Sequence, residues 1–286
     1  MKSYIATQND SGQSARKFLQ KAAPLLPSTM LYKAFRKKRV KVGGKAVSVD
    51  YIIKLGDKIE LYINDEFFVD KKPITQLEKI PSGLPDIAYE TPELLIVNKP
   101  VGTLSHPDLI DEIIAYLIEK GEYNPTAENT FTPALCNRLD RNTSGMIIAA
   151  KTAEALRKTN EQIKNHEIKK FYLARYSGTL PADEGTLTHH HAKDEKHNKA
   201  IVKDEQFPNS KLATLHYKKV SDGLAEVELI TGRFHQIRAQ FALIGCPLMG
   251  DRKYSGKART MGDKHYALTA YKLILVDGTI ITNDKF

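Results

Sequence analysis

The positive charge of this 286-residue chain is concentrated in its first quarter, and this uneven distribution indicates that the chain is divided into a basic module and a nearly neutral remainder. Residues 1–80 contain 16 basic and 8 acidic side chains, a net charge of +8, whereas residues 81–286 contain 27 and 26, a net charge of +1. At about 150 residues per domain, the length suggests roughly two domains. We therefore predict a basic N-terminal module for a polyanion, with nucleic acid as the first candidate. A basic surface that only confers solubility is the alternative.

Composition excludes several classes of protein. Hydrophobic residues make up 41% of the chain, which is enough for a packed core and argues against disorder. No apolar run approaches the roughly 18 residues of a membrane-spanning helix, and the N-terminus lacks the apolar segment of a signal peptide. Two cysteines, Cys136 and Cys246, are too few for a disulfide framework. We expect a cytoplasmic protein of a reducing compartment, monomeric by default and without a membrane partner.

Residues 14–39 have the pattern of two short helices, and a small sheet is expected to follow them. Ser28 is placed to cap the second helix, and apolar residues recur at helical spacing in both. Gly43 and Gly44 predict a two-residue hairpin turn, and residues 58–63 alternate as a further strand. Cations along this module form a ridge that is suited to the phosphates of a nucleic acid. The predicted phosphate contacts are Lys33, Arg36, Lys37, Lys38, Arg39, Lys41 and Lys45.

The rest of the chain has the pattern of a second, larger domain. Residues 66–86 contain three prolines and no clean period, which indicates a linker between a module at 1–65 and a domain at 87–286. After residue 87, strand and helix patterns lack the regular alternation of a parallel α/β fold. We therefore predict an α+β fold with a mixed, largely antiparallel sheet, flanking helices and a central active-site cleft. A small α+β module, the predicted nucleic-acid-binding part of the chain, precedes this domain.

Three polar segments interrupt the apolar pattern of the second domain. Residues 137–145, NRLDRNTSG, place Asp140 between two arginines, whose guanidinium groups favour its charged form. Residues 169–174, KKFYLA, alternate as a strand that carries Tyr172. Residues 231–238, TGRFHQIR, gather polar side chains where a helix begins, and the backbone N–H groups there favour an anion. Taken singly, the segments also fit a salt-bridged turn, a core tyrosine and a solvated helix start.

In this order and at these intervals, the three segments resemble the RluA-type family of pseudouridine synthases. Residues 98–102 (NKPVG) and 245–254 (GCPLMGDRKY) extend the resemblance, which covers about residues 89–275. Residues 11–63 likewise resemble the S-four-type RNA-binding module of ribosomal proteins and RNA-modifying enzymes. The resemblance implies that the chain isomerises a uridine in RNA to its C-glycoside, a reaction that needs no metal and no other cofactor.

The resemblance also implies a role for each matched residue. Asp140 corresponds to the essential aspartate, which either attacks C1′ of the target nucleotide or removes a proton from C2′. Arg238 corresponds to the arginine that pairs with this aspartate, and Tyr172 to the tyrosine beside the target base. Arg138 corresponds to an arginine that fills the space left by the extruded nucleotide or holds its phosphate. Further RNA contacts are expected from Arg141, Arg233, His235 and Gln236.

Several alternatives stay open. Large-subunit ribosomal RNA of the 23S type is the favoured substrate, because S-four-type modules accompany ribosomal enzymes of this family, and transfer RNA is the second candidate. A non-catalytic RNA-binding factor in ribosome assembly would keep the fold without needing the catalytic residues. A metal-dependent hydrolase would need a site at His189, His190 and His191. Consecutive strand residues point to opposite faces, so we predict no metal site and an exposed polar strand or loop there.

Overall fold

The computed structural model describes residues 1–68, 84–255 and 267–283, so most of the predicted linker lies outside the described residues. The chain divides into two compact units. The first comprises Met1–Leu84, Glu112–Ala134 and Ala150–Arg157. The second comprises Pro85–Asp111, Leu135–Ala149 and Lys158–Phe286. Because the first unit includes two later segments, the contiguous domains predicted at 1–65 and 87–286 remain a proposal.

The N-terminal segment of the first unit contains a pair of helices and a small antiparallel sheet. The helices of this segment are α1 (Ala15–Ala22) and α2 (Ser28–Arg36). Its strands are β1 (Lys2–Ile5), β2 (Val40–Val42), β3 (Lys45–Ala46) and β4 (Lys58–Leu61). Within the described residues, these four strands pair in the order β1-β4-β2-β3. Gly43 and Gly44 have φ angles of 55° and 79°, so the predicted glycine turn between β2 and β3 is confirmed.

The second helix is shorter than predicted. α2 ends at Arg36, and Lys38 adopts a left-handed φ of 54°, so Lys38 and Arg39 do not belong to the helix. Pro27 occupies the capping position, and Ser28 is the first helical residue. Positive side chains at the C-terminal end of a helix interact favourably with its dipole. The predicted cationic ridge therefore starts on α2 and continues along irregular backbone into β2.

Asp10 is fully buried in the first unit and organises a hydrogen-bond cluster. Its carboxylate accepts hydrogen bonds from the Thr7 backbone N–H at 2.9 Å, the Asn129 amide at 2.7 Å and the Thr130 hydroxyl at 2.6 Å. Carboxylates are tolerated in a protein interior when their oxygens are hydrogen-bonded in this way. The cluster explains why the segment Glu112–Ala134 belongs to the same compact unit as the N-terminal residues.

The second unit is built around one large sheet. Its strands are β5 (Ile87–Glu90), β6 (Leu94–Lys99), β7 (Ala134–Leu135), β8 (Ser144–Ala150), β9 (Lys169–Arg175), β10 (Glu184–Asp194), β11 (Lys199–Lys203), β12 (Lys211–Ser221), β13 (Leu224–Leu229), β14 (Leu268–Ile274) and β15 (Ile280–Thr282). Within the described residues, the order is β11-β10-β12-β13-β9-β14-β8-β6-β5, with β15 beside β14 and β7 beside β8. Most neighbours run antiparallel, whereas β8 and β14 run parallel.

Three further helices, α3 (Ile110–Glu119), α4 (Ala153–Lys164) and α5 (Gln236–Leu243), do not alternate regularly with these strands. Most of α3 and the first residues of α4 belong to the first unit, whereas α5 belongs to the second. The predicted α+β class with a mixed, largely antiparallel sheet is therefore confirmed. Among the residues that the structure describes, no helix combines the length and the apolar character that crossing a membrane requires.

Helix α5 is buried along most of its length, which is unusual for a helix that begins with polar residues. Residues 236–241 are all buried. Its C-terminal end has the predicted glycine, because Gly245 adopts a φ of 75°. The Cys246 N–H donates to the Phe241 carbonyl at 2.9 Å, and the Gly245 N–H donates to the Ala242 carbonyl at 3.2 Å. These two bonds are those of a Schellman motif, which fixes where the helix ends.

Gly145 allows β8 and β14 to pair. It lies opposite Ala270 in the parallel register and has a φ of 109°. A Cβ atom at this position would lie 2.6 Å from the Ala270 nitrogen and closer still to the Ala270 carbonyl oxygen. Because backbone atoms of a central strand cannot move aside as a flexible side chain can, only glycine fits here.

We predict that Gly145→Ala lowers the free energy of unfolding by roughly 3 kcal/mol or more, since the added methyl group collides with backbone and the φ angle is strained. Gly232→Ala is the control, because a methyl group there meets no atom within 4 Å. Chemical denaturation of the two variants measures the difference. Equal unfolding midpoints would contradict the proposed backbone collision.

We predict that Asp10→Ala destabilises the protein by about 2–4 kcal/mol, because it removes the buried carboxylate that accepts hydrogen bonds from the half-buried donors of Thr7, Asn129 and Thr130. Asp50→Ala removes a carboxylate from an exposed position and serves as the control. Thermal unfolding followed by circular dichroism measures both. A Tm for Asp10→Ala that matches the control would show that the cluster contributes little.

Candidate active site

The second unit contains a cleft of about 660 Å³ to which all three predicted polar segments contribute. Its volume lies in the range of about 300–1,000 Å³ that is typical of ligand pockets. The predicted residues that line it are Asp140, Tyr172, Arg238, Arg138, Arg141, Arg233, His235 and Gln236. His106, from the loop before α3, lies at the same cleft. Segments that are far apart in the sequence therefore meet at one site.

Asp140 lies in the turn before β8. Its backbone carbonyl accepts a hydrogen bond from the Thr143 N–H at 3.0 Å, which closes the turn. The neighbouring Leu139 is anchored through Ser105: its N–H donates to the serine oxygen at 3.2 Å, and its carbonyl accepts from the serine hydroxyl at 3.0 Å. The Asp140 side chain is 27% exposed, so it is accessible from the cleft while the backbone that carries it is fixed.

Arg238 lies between Asp140 and a second carboxylate. Its Nη1 donates to Asp140 Oδ2 at 3.1 Å, and its Nε and Nη2 donate to Asp251 at 2.7 and 3.0 Å. Arg238 is 6% exposed and Asp251 only 1%. A buried guanidinium needs such partners, and its planar fork binds a carboxylate through two parallel hydrogen bonds. Asp251 therefore fixes the orientation in which Arg238 meets Asp140.

His235 approaches Asp140 from the residue before α5. Its Nε2 is 3.6 Å from Asp140 Oδ2, and its Nδ1 is 2.9 Å from the Tyr254 hydroxyl. The Ala200 N–H donates to the same hydroxyl oxygen at 2.7 Å, which leaves the hydroxyl proton to be donated to Nδ1. Burial lowers the pKa of His235 to about 4. We therefore assign a neutral imidazole whose Nε2 proton faces the carboxylate.

Tyr172 contributes an aromatic ring from the central strand β9. It is 5% exposed and pairs with residues of β13 and β14 on either side. Burial raises the pKa of the Tyr172 hydroxyl, and the nearby charge of Asp140 raises it further. The phenol is thus neutral in the ordinary pH range, and the residue lines the cleft.

Lys99 fixes the backbone on the other side of Asp140. Its ammonium donates to the carbonyl oxygens of Pro100 at 3.0 Å, Thr103 at 2.9 Å and Arg141 at 3.0 Å. Burial lowers the pKa of Lys99 to about 8, against the opposing attraction of nearby carboxylates. The ammonium thereby ties the loop after β6 to the turn that carries Asp140.

The predicted RNA contacts around the cleft fall into two groups. Arg138, Arg141 and Arg233 are exposed cations that line the cleft. Gln236 is buried instead, with its Oε1 accepting from the Arg233 N–H at 3.0 Å and its Nε2 donating to the Thr214 carbonyl at 3.1 Å. Because its amide is used inside the protein, the structure does not support the predicted RNA contact of Gln236.

The seven predicted RNA contacts of the N-terminal module lie on the surface of the first unit. Lys41 is half-buried and the other six are exposed. The Lys41 ammonium is 5.1 Å from the centre of the Tyr62 ring. Within the described part of the chain, none of the seven forms an ion pair with an acidic side chain. Their charges are therefore available for an external polyanion.

The three consecutive histidines lie in β10, and two of them are buried, which corrects the predicted exposed strand or loop. His189 Nδ1 is 2.9 Å from the Gln240 amide, and His191 Nε2 is 2.8 Å from the Phe234 carbonyl. Alternate strand residues share a face, which is why these two reach α5 and its preceding loop. Across residues 1–68, 84–255 and 267–283, no three His, Cys, Asp or Glu side chains are grouped to hold a metal ion.

Three supporting residues of this site, Lys99, Asp251 and Tyr254, have no role that could be read from the sequence. All three stand in segments that extended the family resemblance. Each contact joins two separate segments of the chain. Lys99 lies 42 positions from Arg141, Asp251 lies 13 from Arg238, and Tyr254 lies 19 from His235. Periodicity within one segment carries no information about such contacts.

Comparison with known proteins assigns the chain to a family. The family model described as RNA pseudouridylate synthase matches residues 93–243, more than half of the chain. A protein of Mycoplasma capricolum, named an uncharacterized RNA pseudouridine synthase, is 31% identical over 285 residues that cover 96% of this chain and 91% of that protein. The ribosomal large subunit pseudouridine synthase C of Rickettsia bellii is 30% identical over 282 residues that cover 91% of this chain and 88% of that protein.

Solved structures share the fold over about two-thirds of this chain. Human RNA pseudouridylate synthase domain containing 4 matches with a TM-score of 0.57 and 20% identity, covering 69% of this chain and 87% of that chain. Human RNA pseudouridylate synthase domain containing 1 matches with a TM-score of 0.57 and 21% identity, covering 70% and 82%. The matched family segment includes the turn of Asp140, strand β9 and all of α5. This chain therefore belongs to the RNA pseudouridylate synthase family, in its RluA-type branch.

Proposed function

We propose that this chain converts one or more uridines of large-subunit ribosomal RNA to pseudouridine, with Asp140 as the essential residue. The observation that carries the proposal is the 3.1 Å contact of Asp140 with Arg238 in a cleft that also holds Tyr172. A carboxylate that is reachable from solvent and oriented by a fixed guanidinium suits chemistry at the sugar carbon of a nucleotide.

The proposed reaction exchanges one bond of the nucleoside for another. Asp140 either attacks C1′ or takes a proton from C2′, and the N1–C1′ bond breaks with its electrons going to the base. The uracil then rotates, and its C5 bonds to C1′, which displaces the carboxylate or restores the C2′ proton. Loss of the C5 proton and protonation of N1 complete an isomerisation in which all atoms balance.

The residues around Asp140 divide the remaining tasks. Arg238 keeps the carboxylate in one orientation, and the neutral His235 presents a further proton toward it at 3.6 Å. Tyr172 lies where the target base would stack, and its neutral phenol is available for proton transfer at the base. A target in paired or stacked RNA must be extruded to reach this cleft, and Arg138 is an exposed cation that can occupy the vacated space.

The N-terminal module supplies the proposed RNA affinity. Strand β1 precedes its two helices, and β2, β3 and β4 follow them in the order expected of an S-four-type module. Its cations extend from α2 through β2 to Lys45. Phosphate contacts by such a surface offset the free energy needed to extrude a nucleotide. We propose that this surface binds RNA that is contiguous with the target.

Ribosomal RNA is the proposed substrate because a relative that aligns over 91% of this chain is named a ribosomal large subunit enzyme. Transfer RNA is the second candidate. A non-catalytic assembly factor is the third, but such a protein would have no use for an Asp140–Arg238–Asp251 arrangement that opens on a cleft. Fractionated RNA in an activity assay distinguishes the first two, and a catalytic variant tests the third.

We predict that Asp140→Asn lowers the rate of isomerisation by at least about a thousandfold, because the amide retains the shape but neither attacks C1′ nor takes a proton. The assay is tritium release from RNA labelled at uracil C5, with ribosomal and transfer RNA from cells that lack the gene. Asp222→Asn, in the exposed turn between β12 and β13, is the control. Activity of Asp140→Asn within tenfold of this control would show that Asp140 is not essential to the mechanism. If the wild-type protein released no tritium, the non-catalytic assembly factor would be favoured.

We predict that RNA binding falls steeply with salt and that Lys37→Gln with Arg39→Gln makes this dependence shallower. The slope of log affinity against log salt should decrease by about 0.7 to 0.9 for each phosphate that the protein no longer binds. Lys54→Gln removes an exposed charge of the same module outside the ridge and should leave the slope unchanged. Filter binding measures the slopes between roughly 50 and 200 mM salt, the range over which the loss of phosphate contacts changes affinity strongly. An equal change in the control would mean that net charge, rather than this ridge, determines binding.

A further inference from the structure

Lys170 is a buried cation at the cleft, and the proposed reaction gives it no role. It lies on β9 two residues before Tyr172. Alternate residues of a strand share a face, so the two side chains point the same way, and both line the cleft. Lys170 is only 7% exposed, which means that protein covers more than nine-tenths of its surface.

The ammonium of Lys170 differs from the other buried cations of this site. Lys99 donates to three carbonyl oxygens, and Arg238 is held by carboxylates. Lys170 has neither an ion pair nor a hydrogen-bond acceptor among the residues that the structure describes. Burial accordingly lowers the pKa of Lys170. A buried charge without a partner is unfavourable, so this position is suited to an anion that a ligand brings into the cleft.

We infer that Lys170 binds a backbone phosphate of the nucleotide that enters the cleft. This inference rests on the proposed function, since it takes the ligand to be RNA. Phosphates are the anionic groups of RNA at neutral pH, and a lysine ammonium binds phosphate as a compact point charge. Until the N1–C1′ bond breaks, uracil and the ribose hydroxyls are neutral, so in the bound substrate they would leave the charge of Lys170 uncompensated.

The spacing along β9 agrees with a single bound nucleotide. Side chains two residues apart on a strand are separated by about 6.6 Å, so Lys170 and Tyr172 can contact different parts of the same nucleotide. With the base at Tyr172 and C1′ facing Asp140, a flanking phosphate reaches Lys170. The apolar side chains of Ile163 and Leu268 line the same cleft, and an apolar surrounding strengthens a charge–charge contact.

Lys170→Met tests this inference, with Lys169→Met as a matched control. Methionine keeps an unbranched apolar chain and removes the charge. Lys169 carries the same charge at the preceding position, but its side chain is 56% exposed and lies 3.9 Å from Glu228. Both substitutions are made in the wild type and in Asp140→Asn, in which the bound RNA is not converted. The probe is large-subunit ribosomal RNA from cells that lack the gene.

We expect Lys170→Met in the Asp140→Asn background to bind this RNA about tenfold or more weakly, as for loss of a charge-assisted hydrogen bond. The slope of log affinity against log salt should fall by about 0.7 to 0.9, the contribution of one phosphate contact. Lys169→Met should change neither quantity. The Tm of Lys170→Met should equal or exceed that of the parent, because the substitution removes an unpaired buried charge.

An unchanged salt slope would overturn the inference even where affinity falls, because poorer packing weakens binding equally at every salt concentration. An equal change of slope in Lys169→Met would also overturn it. Tritium release by the wild type separates this inference from the proposed function. Release together with an unchanged Lys170→Met slope contradicts the phosphate contact alone. A changed slope without release contradicts the isomerase and supports the contact.

Discussion

Arg238 is buried between two carboxylates, and the geometry of the cleft depends on this arrangement. Asp251 accepts hydrogen bonds from two nitrogens of Arg238. The third nitrogen, which donates to Asp140, therefore has a fixed direction. Burying such charges is unfavourable unless they are paired with good geometry, and α5 provides it by holding Arg238 in its buried first turn. The helix is itself held at both ends, by the left-handed His235 before it and by the Schellman motif after it.

A second layer of contacts makes the site rigid before any RNA binds. The segment from Asp251 to Tyr254 supplies a partner to each of the two residues that face Asp140, since Asp251 holds Arg238 and Tyr254 holds His235. Lys99 and Ser105 fix the turn of Asp140 from the other side. Positions held by several independent contacts lose little entropy when a ligand arrives, which is how a preorganised site favours a reaction.

Features decided by a few neighbouring residues could be predicted from the sequence. The Gly43–Gly44 turn and Gly245 after α5 are examples, because glycine alone determines the backbone there. Strand β1 was not predicted, since its four residues become a strand only by pairing with β4 more than fifty positions later. His189 and His191 are buried because α5 and the loop before it lie against β10, a contact no local pattern shows. At the site, the family resemblance identified Asp140, Tyr172 and Arg238 as functional residues. No sequence pattern indicated that Asp251 pairs with Arg238.

The place of β14 in the sheet has a consequence for how the chain acquires its structure. β14 lies between β9 and β8, so in the described part of the sheet these two earlier strands are joined only through hydrogen bonds to β14. Residues 176–267 must be synthesised between the end of β9 and the start of β14. Contacts of such long range slow folding and leave strand edges open in the meantime. In a nascent chain on the ribosome, the turn of Asp140 and strand β9 are therefore not yet joined in one sheet. The cleft that contains both can form only after β14 has been synthesised.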